Sequence, residues 1–217
     1  MTAAPDTPHL TLPHLHARTR AVAVLLHGGA EDGTEPVARW AGPPLRMLPF
    51  GWAIHRRDPA IAVARLRYRH RGWNGAAADP VADVRDALAR IDARRPDLPV
   101  VLVGHSMGGR AAIRAAGDPN VVGVLALAPW IPRDDPVAQL AGKDVVVIHG
   151  TDDHRTSPES SARFAAGIEG IARSVEYLPV PGGDHAMLRH ATTWHRLTAD
   201  AVSRIAAGPD HEDAPPS

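Results

Sequence analysis

Val100-Val-Leu-Val-Gly-His-Ser-Met-Gly-Gly-Arg-Ala-Ala112 changes character at its middle. Its first four residues are apolar at every position, as a strand covered on both faces must be. Its last residues lead into Ala115 and Ala116, a small-residue run at helical length. Between them stands Gly104-His105-Ser106-Met107-Gly108, the spacing G-x-S-x-G. A sharp strand-to-helix turn there lifts the Ser106 hydroxyl clear of a sheet, and the glycines remove side chains where backbone must come close. The N–H groups at the start of the following helix lack intrahelical acceptors and can face a developing negative charge. With 19 Gly and 7 Ser in 217 residues, the bare pattern should arise by chance about 0.05 times per chain, so the weight rests on the strand before it and the helix after it.

Outward from this turn, short apolar runs alternate with amphipathic stretches. Ala21–Leu26, Ile61–Leu66, Val100–Val103, Val121–Ala128, Val145–Ile148 and Val175–Val180 read as strands. Asp79–Arg95 has Val81, Val84, Leu88 and Ile91 on one stripe, which predicts a helix with Asp79 as N-cap, Pro80 at the first helical position and Pro96 just beyond its end. Helices are also predicted over Met107–Ala116, Ser157–Ile171 and Met187–Ile205. Strand alternating with helix means an α/β domain, a mostly parallel central sheet with helices on both faces, and functional loops at the carboxyl ends of its strands. This domain is expected over residues 21–207. Residues 1–20 are expected to be partly loop with one short strand near Leu10–Leu12, and 208–217 a polar, Pro-rich tail without order.

The composition narrows the partners. Basic and acidic residues both number 24, which gives no reason to expect a nucleic acid or another polyanion. All but one of the basic residues are arginine, Lys143 being the exception, a bias that suits a GC-rich genome. The absence of cysteine removes disulfides and thiolate chemistry and agrees with a cytoplasmic location. The opening residues have no secretory pattern, and no apolar run approaches 18 residues, so no membrane span is expected. No metal or other cofactor is expected: Asp152, Asp153 and His154 are too close in sequence to converge on one ion, and His27-Gly28-Gly29 lacks the lysine of a phosphate loop.

A serine hydroxyl is a weak nucleophile until a base takes its proton and a third group orients that base. The strand Val145–Ile148 opens into His149-Gly-Thr-Asp-Asp153, and Val175–Val180 opens into Pro181-Gly-Gly-Asp-His185. With the turn at Ser106, these segments resemble the α/β-hydrolase superfamily, whose chain order is nucleophile, acid, histidine. The resemblance implies His185 as base. Its Gly-x-x-Asp register, counted from Gly150, selects Asp153 as the acid, with Thr156-Ser157 in place of the usual Val-Pro-like pair; Asp152 is the alternative. His27-Gly28-Gly29, after the first strong strand, resembles the superfamily's oxyanion loop, which implies the Gly29 and Met107 amides as donors. Trp73 and Trp130 follow strands and are candidates to line the substrate pocket. His105 and His149 flank motif positions and read as structural, while His190 and His195 fall inside the last predicted helix.

Only about fifteen residues separate Ala128 from Val145, too few for a lid domain. The Pro-rich segment Trp40–Pro49 is a candidate rim. The likeness, spanning residues 21–205, is nearest to compact esterases and dienelactone-hydrolase-like members, although the latter usually carry Cys at the position of Ser106. It implies hydrolysis of an ester, thioester or lactone of small size through an acyl-enzyme. A peptidase, a C–C hydrolase or a cofactor-free perhydrolase or haloperoxidase would use the same residues, and a non-catalytic binding protein would keep the fold. Oligomeric state is not legible in the sequence.

Overall fold

A computed structural model describes residues 7–208. The expected tail beyond Gly208 therefore lies outside the described residues. Seven strands form one sheet: β1 (His9–Thr11), β2 (Ala21–Leu26), β3 (Ile61–Arg67), β4 (Val100–His105), β5 (Val121–Leu127), β6 (Asp144–Gly150) and β7 (Ser174–Val180). They lie in the order β1-β3-β2-β4-β5-β6-β7. Only β1 is antiparallel; Leu10 pairs with Leu66 and ties the N-terminal segment to the sheet edge. The six parallel strands all begin on one side, so their carboxyl ends and the loops after them share one edge.

β2 and β4 are buried at every position because helices cover both faces. Val22, Val24 and Leu26 face the layer built from α3 (Asp79–Asp92), α4 (Met107–Ala115) and α5 (Pro158–Gly167). Ala21, Ala23 and Leu25 face α2 (Leu48–Arg57) and α6 (Ala191–Ala207), through Phe50, Ile54, Trp194 and Val202. Among the described residues no helix is long and apolar enough to cross a membrane.

Two local expectations need correction, and one segment gains elements that the sequence reading did not assign. Asp79 is the first helical residue of α3 and not its cap, and Pro80 follows it into the first turn; the N-cap is Ala78 in the left-handed region. The Asp79 carboxylate is occupied elsewhere, accepting from Asn74 Nδ2 at 2.7 Å and lying 3.1 Å from His70 Nδ1. His190 stands before α6 as its left-handed N-cap, because Asp184 caps a separate turn by accepting from the amides of Leu188 and Arg189. Finally, Trp40–Pro49 is largely helical. It contains α1 (Gly42–Arg46) and the start of α2, and its prolines sit in the first turns, where a missing N–H breaks no hydrogen bond.

Leu102 lies on the central strand with no solvent exposure. Replacing it by Ala should lower unfolding free energy by about 2–5 kcal/mol, through lost transfer energy and the cavity left behind. A urea titration reads this; a loss under about 1 kcal/mol would mean that this layer repacks freely.

Candidate active site

Ser106 follows β4 directly with φ 54° and ψ −116°, a conformation that L-residues rarely adopt. Close packing explains it. A Cβ on Gly104 would stand 2.1 Å from the Gly108 carbonyl oxygen, and one on Gly108 would stand 2.4 Å from the Leu26 carbonyl oxygen. Chain reversal at this distance is possible only with hydrogen at both positions. The turn is then locked from behind: Ser106 N donates to the Leu127 carbonyl, and its own carbonyl accepts from Gly109 N and Trp130 N. Ser106 is half-buried at the carboxyl edge of the sheet.

Asp153 and His185 come to the same edge from the loops after β6 and β7. His185 Nδ1 lies 2.8 Å from Asp153 Oδ2, and the carboxylate has no solvent exposure. Of the two adjacent aspartates, only Asp153 makes this contact. Asp152 points outward to Arg189 Nη1 at 3.1 Å, with 43% of its side chain exposed. Asp153 Oδ1 accepts from the amides of Arg155 and Thr156 at 2.8 and 3.0 Å. Its Oδ2 also accepts from the Thr156 hydroxyl at 2.8 Å and from His149 Nε2 at 3.1 Å. Burial by itself raises a carboxyl pKa, but the bonds from His149, His185 and the two amides outweigh it and hold Asp153 far below the usual range. Among the described residues no hydrogen bond joins Ser106 Oγ to His185, and the rings of His105 and His185 stand with their centroids 4.9 Å apart. Hydroxyl-to-base contacts are commonly long before substrate binds.

The backbone beside the serine presents donors. Among the described residues, neither the Gly29 N–H nor the Met107 N–H reaches a backbone carbonyl. The Gly29 loop is set by His27, which donates through Nδ1 to the Gly28 carbonyl at 2.7 Å and accepts from Tyr68 N through Nε2 at 3.3 Å. His105, turned away from solvent, donates through Nε2 to the His185 carbonyl at 2.9 Å and so fixes the main chain that carries the imidazole. This contact was not legible in the sequence, where His105 is merely the variable residue of G-x-S-x-G.

The two tryptophans part company. Trp73 is 3% exposed, its face covered by the Arg110 guanidinium at 3.9 Å and its edge met by Trp130. The expectation that it lines a substrate pocket is therefore corrected: Arg110, paired through two bonds with Asp135, claims its surface. Trp130 keeps partial exposure and its backbone touches the Ser106 turn. The Trp40–Pro49 segment instead walls a cavity of about 390 Å³ beside β1 and β3, which His9, Arg39, Arg65 and Arg67 also line, and Ser106, Asp153 and His185 are not among its lining residues.

Burial also holds two histidines neutral, His27 with its pKa lowered to about 4 and His105 to about 3. Both folded values lie below that of the unfolded chain, near 6.5. Unfolded protein therefore binds protons that folded protein does not as pH falls below that value. Stability should be full above about pH 6.5 and decline from there toward pH 4. Melting temperatures across this interval test it, and a flat profile would exclude the assignment.

The profile of the serine aminopeptidase S33 family matches residues 66–144, from the end of β3 to the start of β6. No curated protein matches the sequence. Among solved structures, a protein of unknown function from Agrobacterium tumefaciens, described as an α/β hydrolase, superposes with a TM-score of 0.72 at 14% identity, covering 92% of each chain. An α/β serine hydrolase without a lid from Xanthomonas campestris gives 0.64 at 21% identity, covering 91% of this chain and 88% of its own. The butyrate-bound esterase Est2 of Thermogutta terrifontis gives 0.65 at 18%, covering 97% and 91%. With this strand order, a sharp turn after the central strand and only a short connection between β5 and β6, the chain has the α/β-hydrolase fold with no lid inserted between those strands.

Proposed function

We propose that the chain is a serine hydrolase that cleaves a carboxylic ester, thioester or lactone through an acyl-enzyme. The observation that carries this reading is the 2.8 Å contact between His185 Nδ1 and a fully buried Asp153, at the sheet edge where Ser106 is held at positive φ.

In the proposed reaction Ser106 Oγ attacks the substrate carbonyl as its proton passes to His185 Nε2. Asp153 accepts from Nδ1–H, so it fixes the imidazole tautomer and stabilises the imidazolium. The new oxyanion lies between the Gly29 and Met107 amides, whose lack of other acceptors supports the role. Collapse expels the alcohol or thiol, which takes the proton from His185. Water then attacks the acyl-enzyme by the same route, releasing the acid and restoring the serine. The short β5–β6 connection, Ala128 to Lys143, suits small and accessible esters. The butyrate bound to the Thermogutta esterase is a short acyl group of that kind.

The S33 match favours a second reading, cleavage of an N-terminal aminoacyl bond by the same three residues. Comparing kcat/KM on p-nitrophenyl acetate and butyrate with that on aminoacyl p-nitroanilides separates the two; a clear preference for the anilides would replace the ester reading.

Ser106→Ala should abolish ester turnover and labelling by a fluorophosphonate. Turnover that survives this change would eliminate the mechanism. Asp153→Asn should lower kcat by about 10⁴-fold with the fold intact, since the amide favours the wrong tautomer; a loss under about tenfold would remove Asp153 from the role. Activity should fall in acid as the imidazole base takes a proton, and a profile flat down to pH 4 would contradict a histidine base.

A further inference from the structure

His149 closes β6 with no solvent exposure, and the reaction above gives it no part. Its Nε2 lies 3.1 Å from Asp153 Oδ2, and its Nδ1 lies 2.7 Å from Ser161 Oγ on α5. A neutral imidazole has one N–H, and an ionised carboxylate only accepts. Facing that carboxylate, Nε2 carries a proton and donates, while Nδ1 pairs with the Ser161 hydroxyl, itself buried. This gives a chain, Ser161 to His149 to Asp153, that meets His185 on the same oxygen. Two imidazoles donate to Oδ2 of one buried carboxylate, whereas Oδ1 is committed to two backbone amides.

An apolar side chain would fill the end of a strand that otherwise reads Val-Val-Val-Ile with no polar group to satisfy. The imidazole makes sense there as a donor. We infer that His149 is a positioning residue for the proposed hydrolysis: its Nε2–H holds Asp153 in the orientation that meets His185 and takes up part of the carboxylate's charge, which sets how strongly Asp153 pulls on the His185 proton. This rests on the reading of Ser106, His185 and Asp153 as the reacting group and its two partners.

The sign of the effect follows from the donors. Removing the Nε2–H leaves Asp153 with His185, the Thr156 hydroxyl and two amides, so the carboxylate becomes more basic and the His185 imidazolium is favoured. The acid limb of kcat/KM then moves to higher pH. Other charged or titratable groups near this cluster include His105 from β4, which lies in the field of Arg46 from α1 as well as of His185 and Asp153, and Glu159 from α5, which lies in the field of His149. None of them changes in the variants below.

The experiment measures p-nitrophenyl acetate hydrolysis from pH 4.5 to 9 by the wild type, His149→Phe and His149→Gln. Phenylalanine keeps a ring but has no N–H; the glutamine Nε2 amide places a donor near that of the imidazole. The phenylalanine variant should lose about tenfold in kcat with KM changed less than about twofold, because Asp153 is no longer held in the orientation that aligns His185. Its acid limb should rise by about one pH unit. Glutamine should restore most of the rate and return the limb towards its wild-type position. A folded phenylalanine variant with the wild-type rate and limb would overturn the inference. So would equal losses in both variants with no movement of the limb, which is the outcome of packing alone.

A proton NMR spectrum guards against a variant that fails to fold. In His185→Ala, the downfield imidazole N–H resonance of His149 against Asp153, told apart from those of the buried His27 and His105 by its loss when His149→Gln is added, should persist; its absence would overturn the inference as well. Failure of the functional reading is a separate result. It would appear as wild-type protein that neither turns over esters nor labels with the fluorophosphonate, whatever the His185→Ala spectrum shows.

Discussion

A carboxylate sealed from water stays ionised only where donors converge on it, and at Asp153 they arrive from three places. His149 comes from the end of β6, the Arg155 and Thr156 amides and the Thr156 hydroxyl from the loop that follows, and His185 from the loop after β7. Because the donors come from three stretches of backbone, satisfying the charge also sets the relative positions of those stretches. The same interaction that prevents an uncompensated buried charge therefore places the His185 imidazole. An aspartate one residue earlier could not do this: Asp152 faces solvent and Arg189.

The serine side of the site is built on a different principle, sterics in place of charge. Gly104 and Gly108 allow backbone to meet backbone closer than any side chain permits, and the resulting reversal holds Ser106 in a sparsely populated conformation. Such a conformation typically costs about 1–3 kcal/mol, and a surrounding structure that over-determines it must supply that energy. Here the supply is visible in the hydrogen bond from Ser106 N to the Leu127 carbonyl, in those from Gly109 N and Trp130 N to the Ser106 carbonyl, and in the buried faces of β4 and α4. His105 links the two sides, since it sits in the turn and holds the main-chain carbonyl of His185.

The arginine-rich composition also acquires a structural meaning at one place. Arg110 lies between Trp73 and Trp130 and pairs with the nearly buried Asp135, which also meets Arg114. A planar guanidinium can stack on an aromatic face while its edge binds a carboxylate, so one side chain closes the loop after β3 against the loop after β5. Tryptophans at strand ends are natural candidates for binding walls, but here their exposure was decided by a cation contributed from α4.

Strand and helix order was legible in the residues because periodicity and apolar runs are local properties: the six parallel strands coincide with the six apolar runs to within a residue or two at most ends. The turn at Ser106 was equally legible, since glycine spacing around a serine reports a local steric need. The first-turn prolines of α1 and α2 hid those helices, as proline is rare in helices generally and tolerated only at their starts. What the chain alone determined was therefore the alternating layers, the nucleophile turn and the short set of acids and bases after the later strands. The register from Gly150 already pointed to Asp153 over Asp152; tertiary structure alone decided that this carboxylate meets His185, that His149 shares it, and that Trp73 is covered. Those choices depend on contacts between segments tens of residues apart, where burial and hydrogen-bond geometry in three dimensions replace sequence spacing.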